Sequence, residues 1–158
     1  MTDREKKFLE RAIELSRQGM ESGSGGPFGC VIVKDGEIVG EGSNMVTSTN
    51  DPTAHAEVVA IRQACKKLNV FQLEGCDIYT SCEPCPMCLG AIYWARPKKV
   101  VFANTKQDAA AINFDDDFIY KEINTDLLQR EIPFIHQPHP MALKVFEDWK
   151  DKEDKIVY

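Results

Sequence analysis

The sequence predicts an α/β fold, and three features carry that reading. An amphipathic helix opens the chain, a tight hairpin follows it, and strand, helix and strand then succeed one another at the spacing of a right-handed parallel crossover. The opening helix is signalled by Thr2-Asp3-Arg4-Glu5, where the acid three residues after the threonine completes a capping box. Behind it Phe8, Leu9, Ala12, Ile13, Leu15 and Met20 recur at helical spacing, and Gly19 and Gly23 stop the pattern. Cys30 to Val33 and Ile38 to Val39 flank Asp35-Gly36, a turn pair that tolerates positive φ at both positions. Asp51-Pro52-Thr53 has helix-start chemistry, ahead of Ala56, Val59, Ala60 and Ala64 on one face. Ile78-Tyr79-Thr80 reads as a short strand and Pro86 to Trp94 as a helix ended by Arg96-Pro97. Val100-Val101-Phe102-Ala103 is an uninterrupted apolar strand of the kind buried on both faces.

The chain has the length of one domain, expected to span residues 1–158 without an interdomain linker. A net charge of −6 and an isoelectric point near 5.1 argue against a general nucleic-acid binder, which needs basic surface to neutralise phosphates. Met1 to Glu10 is charged and lacks the apolar run of a signal peptide, and no stretch approaches the ~20 apolar residues of a membrane span. The expectation is therefore a cytoplasmic protein with no membrane partner.

Cysteine placement carries the chemistry. Cys30, Cys65 and Cys76 are scattered on apolar stretches, where a free cysteine behaves as a small buried hydrophobe. Cys82, Cys85 and Cys88 crowd together, and in a reducing compartment such crowding points to metal. His55-Ala56-Glu57 opens one predicted helix and Pro84-Cys85-Pro86-Met87-Cys88 opens another. A catalytic zinc keeps three protein ligands and leaves a fourth position to water. His55, Cys85 and Cys88 make three. Cysteines three apart on a first helical turn converge on one point, and the positive helix end there favours thiolate. Glu57, two residues from His55, is placed to carry protons for the reacting water. Together these residues match the H-x-E…P-C-x-x-C signature of zinc deaminases. The alternative is a structural zinc with Cys82 as fourth ligand; it leaves Glu57 unexplained and puts Cys82 before Pro84, so Cys82 is read as a core residue at a strand end.

The Gly23-Ser24-Gly25-Gly26 loop lacks the lysine and hydroxyl residue of a phosphate loop and reads either as a connector or as a loop folded over a site. His136 and His139 lie among prolines and read as surface histidines, and Lys150 to Lys155 as a solvated helix or its end.

The stretches Gly25-Gly26-Pro27-Phe28-Gly29, Asp51 to Glu57, Tyr79 to Cys88, Ala91 to Pro97 and Phe114 to Ile123 closely resemble bacterial guanine deaminases, of the cytidine deaminase superfamily. The zinc motifs are shared across the superfamily; the Phe114 to Ile123 segment and the Tyr158 ending point to guanine. The resemblance implies a cytidine deaminase-like three-layer α/β/α sandwich around a mixed five-stranded sheet. It implies zinc-dependent hydrolysis of guanine, a purine base, to xanthine and ammonia. It makes Asn44, Asp116 and the backbone of Ala56 hydrogen-bonding partners of the purine, and Phe28 and Trp94 pocket walls. It also implies a homodimer that exchanges C-terminal segments, in which Tyr158 closes the partner's site. Rival readings at this point are a tRNA adenosine deaminase, a guanosine or cytosine deaminase with the same zinc chemistry, and a zinc-stabilised binding module without turnover. Glu57 weighs against the last, which has no use for a carboxylate beside an open metal position.

Overall fold

A computed structural model describes residues 1–158. They divide into two units, Met1–Asp116 and Asp117–Tyr158. In the first unit the chain order is α1 (Asp3–Glu21), β1 (Gly29–Lys34), β2 (Glu37–Ser43), α2 (Val46–Thr49), α3 (Ala56–Leu68), β3 (Asp77–Cys82), α4 (Pro86–Ala95), β4 (Lys99–Asn104) and α5 (Lys106–Ala110). The second unit has α6 (Asp117–Ile123), a single 3-10 turn (Leu127–Gln129) and α7 (Pro140–Asp151).

Local chemistry explains how the first elements form. Thr2 Oγ1 accepts from the Glu5 N–H at 3.2 Å while Glu5 Oε2 accepts from the Thr2 N–H at 2.7 Å, the reciprocal cap expected at the start of α1. Gly19 is buried inside that helix, which runs on to Glu21 before Gly23 turns with φ +73°. At the hairpin, Asp35 (φ 51°) and Gly36 (φ 79°) both occupy the left-handed region, and β1 pairs antiparallel with β2 on either side.

Strand order is β2-β1-β3-β4, with β1 antiparallel to β2 and to β3, and β3 parallel to β4 across α4. The sheet is mixed, as expected, but has four strands rather than five. After β4 the chain enters a helix at once, because Thr105 and Asp108 form a second capping box for α5. The later apolar run 132–135 contains Pro133, which cannot donate to a ladder, and adopts no strand.

Alternating side chains sort this sheet into two cores. Cys30, Ile32, Ile78 and Val100 face α3 and α4, joining Ala56, Ala60, Ala64, Leu73, Cys76, Ile92 and Ala95. Val31, Val33, Tyr79 and Val101 face α1 and pack with Phe8, Leu9, Ala12 and Leu15. Helix, sheet, helix is the three-layer α/β/α sandwich of the cytidine deaminase-like fold. The α3 layer sits unusually close to β2: a Cβ on Gly42 would lie 2.3 Å from the Ala56 carbonyl oxygen, and one on Gly40 2.5 Å from that of Ala60. Only glycine allows this approach, which seats the first turn of α3 against the sheet.

Two expectations shift. The Asp51-Pro52-Thr53 stretch does not open α3; Asp51 Oδ1 accepts from both the Thr53 N–H (2.8 Å) and hydroxyl (2.7 Å), closing a local turn, and the helix starts at Ala56. Strand β4 is not buried on both faces: Val100 and Val101 are half-buried and Phe102 is 44% exposed, because β4 is the edge of the sheet. No helix is long and apolar enough to cross a membrane.

Candidate zinc site

Two helix starts meet at the site. His55 is the N-cap of α3 and Cys85 the N-cap of α4, and neither side chain is spent on a capping hydrogen bond. Pro86 takes the first position of α4, where its missing N–H costs nothing, and Cys88 follows in the same turn. Both helices are thus begun by backbone and proline chemistry, leaving imidazole and thiols for another purpose.

Those side chains converge. His55 Nδ1 lies 3.5 Å from Cys85 Sγ and 3.5 Å from Cys88 Sγ, and the donor atoms of all three residues fall within 4.8 Å of one another. Zinc bonded at about 2.3 Å to sulfur and about 2.0 Å to nitrogen in a tetrahedron holds N and S about 3.5 Å apart. The spacing therefore fits a zinc ion, with three donors and one position over. Cys82, the alternative fourth ligand, is buried at the end of β3 and its Sγ turns to the Thr105 carbonyl at 3.6 Å; it is a core residue. All six cysteines are free.

Electrostatics at the cluster favour thiolate on one sulfur. A hydrogen bond from Cys88, aided by His55, brings the Cys85 thiol down to about 4. Cys88 moves the opposite way, held up by its hydrogen bond to Cys85 and by burial. The hydrogen bond to Cys85 raises His55 in turn. This is the pattern of two thiols sharing one proton, and a divalent ion displaces that proton.

Glu57 stands beside the donors, 6% exposed. Its Oε2 is 3.4 Å from Cys88 Sγ and its Oε1 is 3.4 Å from the Thr80 hydroxyl. Burial raises its carboxyl above the ordinary range. A carboxylate so placed can take and return protons at whatever occupies the fourth position.

Residues 2–104 match the model of the cytidine and deoxycytidylate deaminase zinc-binding region. The chain belongs to this deaminase family. It is similar to guanine deaminase of Bacillus subtilis, with 57% identity over 96% of this chain and 97% of that one. A crystal structure of guanine deaminase from the same organism superposes with a TM-score of 0.95 at 55% identity, covering 100% of this chain and 99% of the other. The tRNA-specific adenosine deaminase of Aquifex aeolicus is 45% identical over 61% of this chain and 63% of its own length. Membership in the deaminase family makes zinc the metal, and its zinc-binding region contains the whole donor cluster.

The other expected site residues of this deaminase are placed as follows. Ala56 is fully buried at the first position of α3, between His55 and Glu57. Asn44 is 5% exposed at the end of β2, and its Oδ1 accepts from the Val46 N–H at 3.2 Å, so one of its two polar ends already serves a turn. Phe28 is half-buried and meets Phe114 edge-on, ring centroids 4.9 Å apart. Of the three consecutive aspartates, Asp116 is the half-buried one; burial and the nearby Cys85 raise its carboxyl. Asp115 and Asp117 are exposed, and Asp117 pairs with Lys121 at 2.8 Å. Trp94, on α4, is 65% exposed, and Tyr158, in the second unit, is 66% exposed. Sequence reasoning missed Thr80, which touches Glu57, and Phe114 as the partner of Phe28. A threonine inside a strand carries no signal of its own. His139, expected at the surface, is exposed; it also caps α7, Nδ1 accepting from the Met141 N–H at 3.2 Å.

Proposed function

We propose that this chain hydrolyses guanine to xanthine and ammonia, with His55, Cys85 and Cys88 as zinc ligands and Glu57 as the proton carrier. The carrying observation is the length of the match to the guanine deaminase relative. It covers 96% of the chain at 57% identity, whereas the zinc-binding region stops at residue 104 and a tRNA deaminase match that reaches 79% of the chain does so at 31% identity. Zinc chemistry is common to all these proteins, so substrate choice lies in what surrounds it.

When bound, zinc supplies a water whose pKa falls from ~15.7 toward ~7. Glu57 would take a proton from the attacking water as the water oxygen bonds to the ring carbon that carries the amine. The same carboxyl would deliver that proton to the adjacent ring nitrogen, then take the remaining proton of the newly added hydroxyl and pass it to the amine, so that the carbonyl forms as the carbon–nitrogen bond breaks and ammonia leaves. Water is consumed, ammonia leaves, and Glu57 ends as it began. Asn44, the Ala56 backbone and Asp116 hydrogen-bond the purine edge, where guanine offers ring donors that a carboxylate accepts. Phe28 and Trp94 give its faces something to stack on.

This reading includes a homodimer with exchanged C-terminal segments, Tyr158 closing the partner's site. Two features support it. No residue of Asp117–Tyr158 is buried, although α7 carries Met141, Val145, Phe146 and Trp149 at helical spacing. In the first unit Leu89, Tyr93 and Trp94 leave an apolar patch exposed on α4. A cytoplasmic location belongs to the same reading, since free thiols that must ligate metal suit a reducing compartment.

Ammonia release assayed across guanine, guanosine, cytosine, adenine and tRNA tests the substrate. Guanine is expected to react with xanthine as product; inosine appearing in tRNA with guanine untouched moves the assignment to the tRNA deaminases.

A further inference from the structure

Thr80 is 1% exposed, on β3, and its hydroxyl stands between two acceptors: the Gly29 carbonyl at 3.3 Å and Glu57 Oε1 at 3.4 Å. The hydroxyl can donate to either, so it lies within reach of Glu57 without depending on it as its sole partner. The two Glu57 oxygens therefore have different neighbours, Oε1 with Thr80 and Oε2 with the Cys88 sulfur of the donor cluster. The adjacent Ser81 is fixed separately, its Oγ accepting from the Gly29 N–H at 3.0 Å.

We propose that Thr80 is a positioning residue for the deamination: its hydroxyl holds Glu57 Oε1 and so commits Oε2 to carry the proton. A buried carboxylate on a glutamate side chain has three rotatable bonds, and a carrier that must meet water, ring nitrogen and amine in turn gains from a fixed hinge point. The Gly29 carbonyl keeps the hydroxyl satisfied at every stage of the proton's passage, so the buried group is never left unpaired. Thr80 touches neither the donor cluster nor, by this placement, the purine. Its loss acts on turnover and not on metal or substrate binding.

The proposal rests on Glu57 as proton carrier, and the test separates the two. Thr80→Val removes the hydroxyl at nearly constant volume. It is expected to lower kcat about tenfold with KM for guanine within about twofold, a part of the range for a disturbed acid–base group. Zinc content by elemental analysis stays at one ion per chain, and Thr80→Ser restores most of kcat. The deciding arm is the double variant: if Thr80 acts through Glu57, Thr80→Val adds nothing once Glu57→Gln has removed the carboxylate. Thr80→Ala carries the same comparison should the valine variant fold poorly by thermal melting. Unchanged kcat in the hydroxyl-free variants, or the same tenfold fall on the Glu57→Gln background, overturns the role of Thr80. Near-normal kcat in Glu57→Gln alone overturns instead the reading beneath it.

Discussion

The two units of the chain use apolar residues in opposite ways. In Met1–Asp116 they are spent on two cores, one on each face of the sheet, and every buried residue of the protein lies there. In Asp117–Tyr158 the apolar residues are as frequent along α7 but none is buried; Phe146 is 76% and Val157 76% exposed. A segment of about 40 residues is at the lower limit of what secures a core alone. The first unit is thus a scaffold that sets the zinc site by its own packing. The second has the composition of a segment whose apolar face is completed by something else, and in the proposed dimer that is a second copy.

The comparison predicts that changes in the two units fail differently. The largest effect belongs to the first: Cys85→Ala or Cys88→Ala is expected to lose both zinc and activity, and full zinc occupancy by elemental analysis in either variant would refute the ligand assignment. Deleting the last four residues is expected to spare zinc content and folding while kcat/KM for guanine falls at least ~10-fold, about 1.4 kcal/mol of transition-state stabilisation. Unchanged kinetics would return Tyr158 to an ordinary chain end. The smallest effect is a pH dependence confined to the first unit. There the Arg11 guanidinium grips Glu41 through two bonds, 2.8 and 3.1 Å, and holds its carboxyl below the ordinary value of 4.5. A depressed folded pKa means that this stabilisation is complete above about pH 4.5 and fades as pH falls through the lower folded value. Melting curves of Glu41→Gln should accordingly be flatter than those of the parent below about pH 4.5. An equal slope in the two proteins would remove the pair from the acid limb.

The same division governs what could be read from the sequence. Asp35-Gly36 announces its turn because two consecutive positive-φ residues have few other uses, and Thr2 with Glu5 announces a helix start for a similar local reason. That His55, Cys85 and Cys88 would converge was legible because metal-binding chemistry restricts residue type and spacing together, and Glu57 followed from its place two residues after His55. What could not be read depends on partners distant in sequence. Val100 to Ala103 looks the same whether a fifth strand covers it or not, so its exposure at the edge was hidden. Asp51 and Thr53 spell a cap but bond each other, and only the approach of α3 to Gly40 and Gly42 shows where the helix begins. Thr80 was invisible since its partner, Glu57, comes from another element.

His55 and Cys85 each begin a helix, and this has a bearing on the order in which the molecule assembles. The ligands lie 30 and 33 residues apart, so a large loop must close before they meet, and its cost grows only slowly with length. Between them run α3 and β3, and β3 finds its place only when β1 is there to receive it. Ligand convergence therefore depends on the pairing of β3 with β1. A metal held there would clasp the starts of two helices, so chelation should loosen these starts first and leave the β1–β2 hairpin paired. In this arrangement the ion would act as a latch between two helix starts.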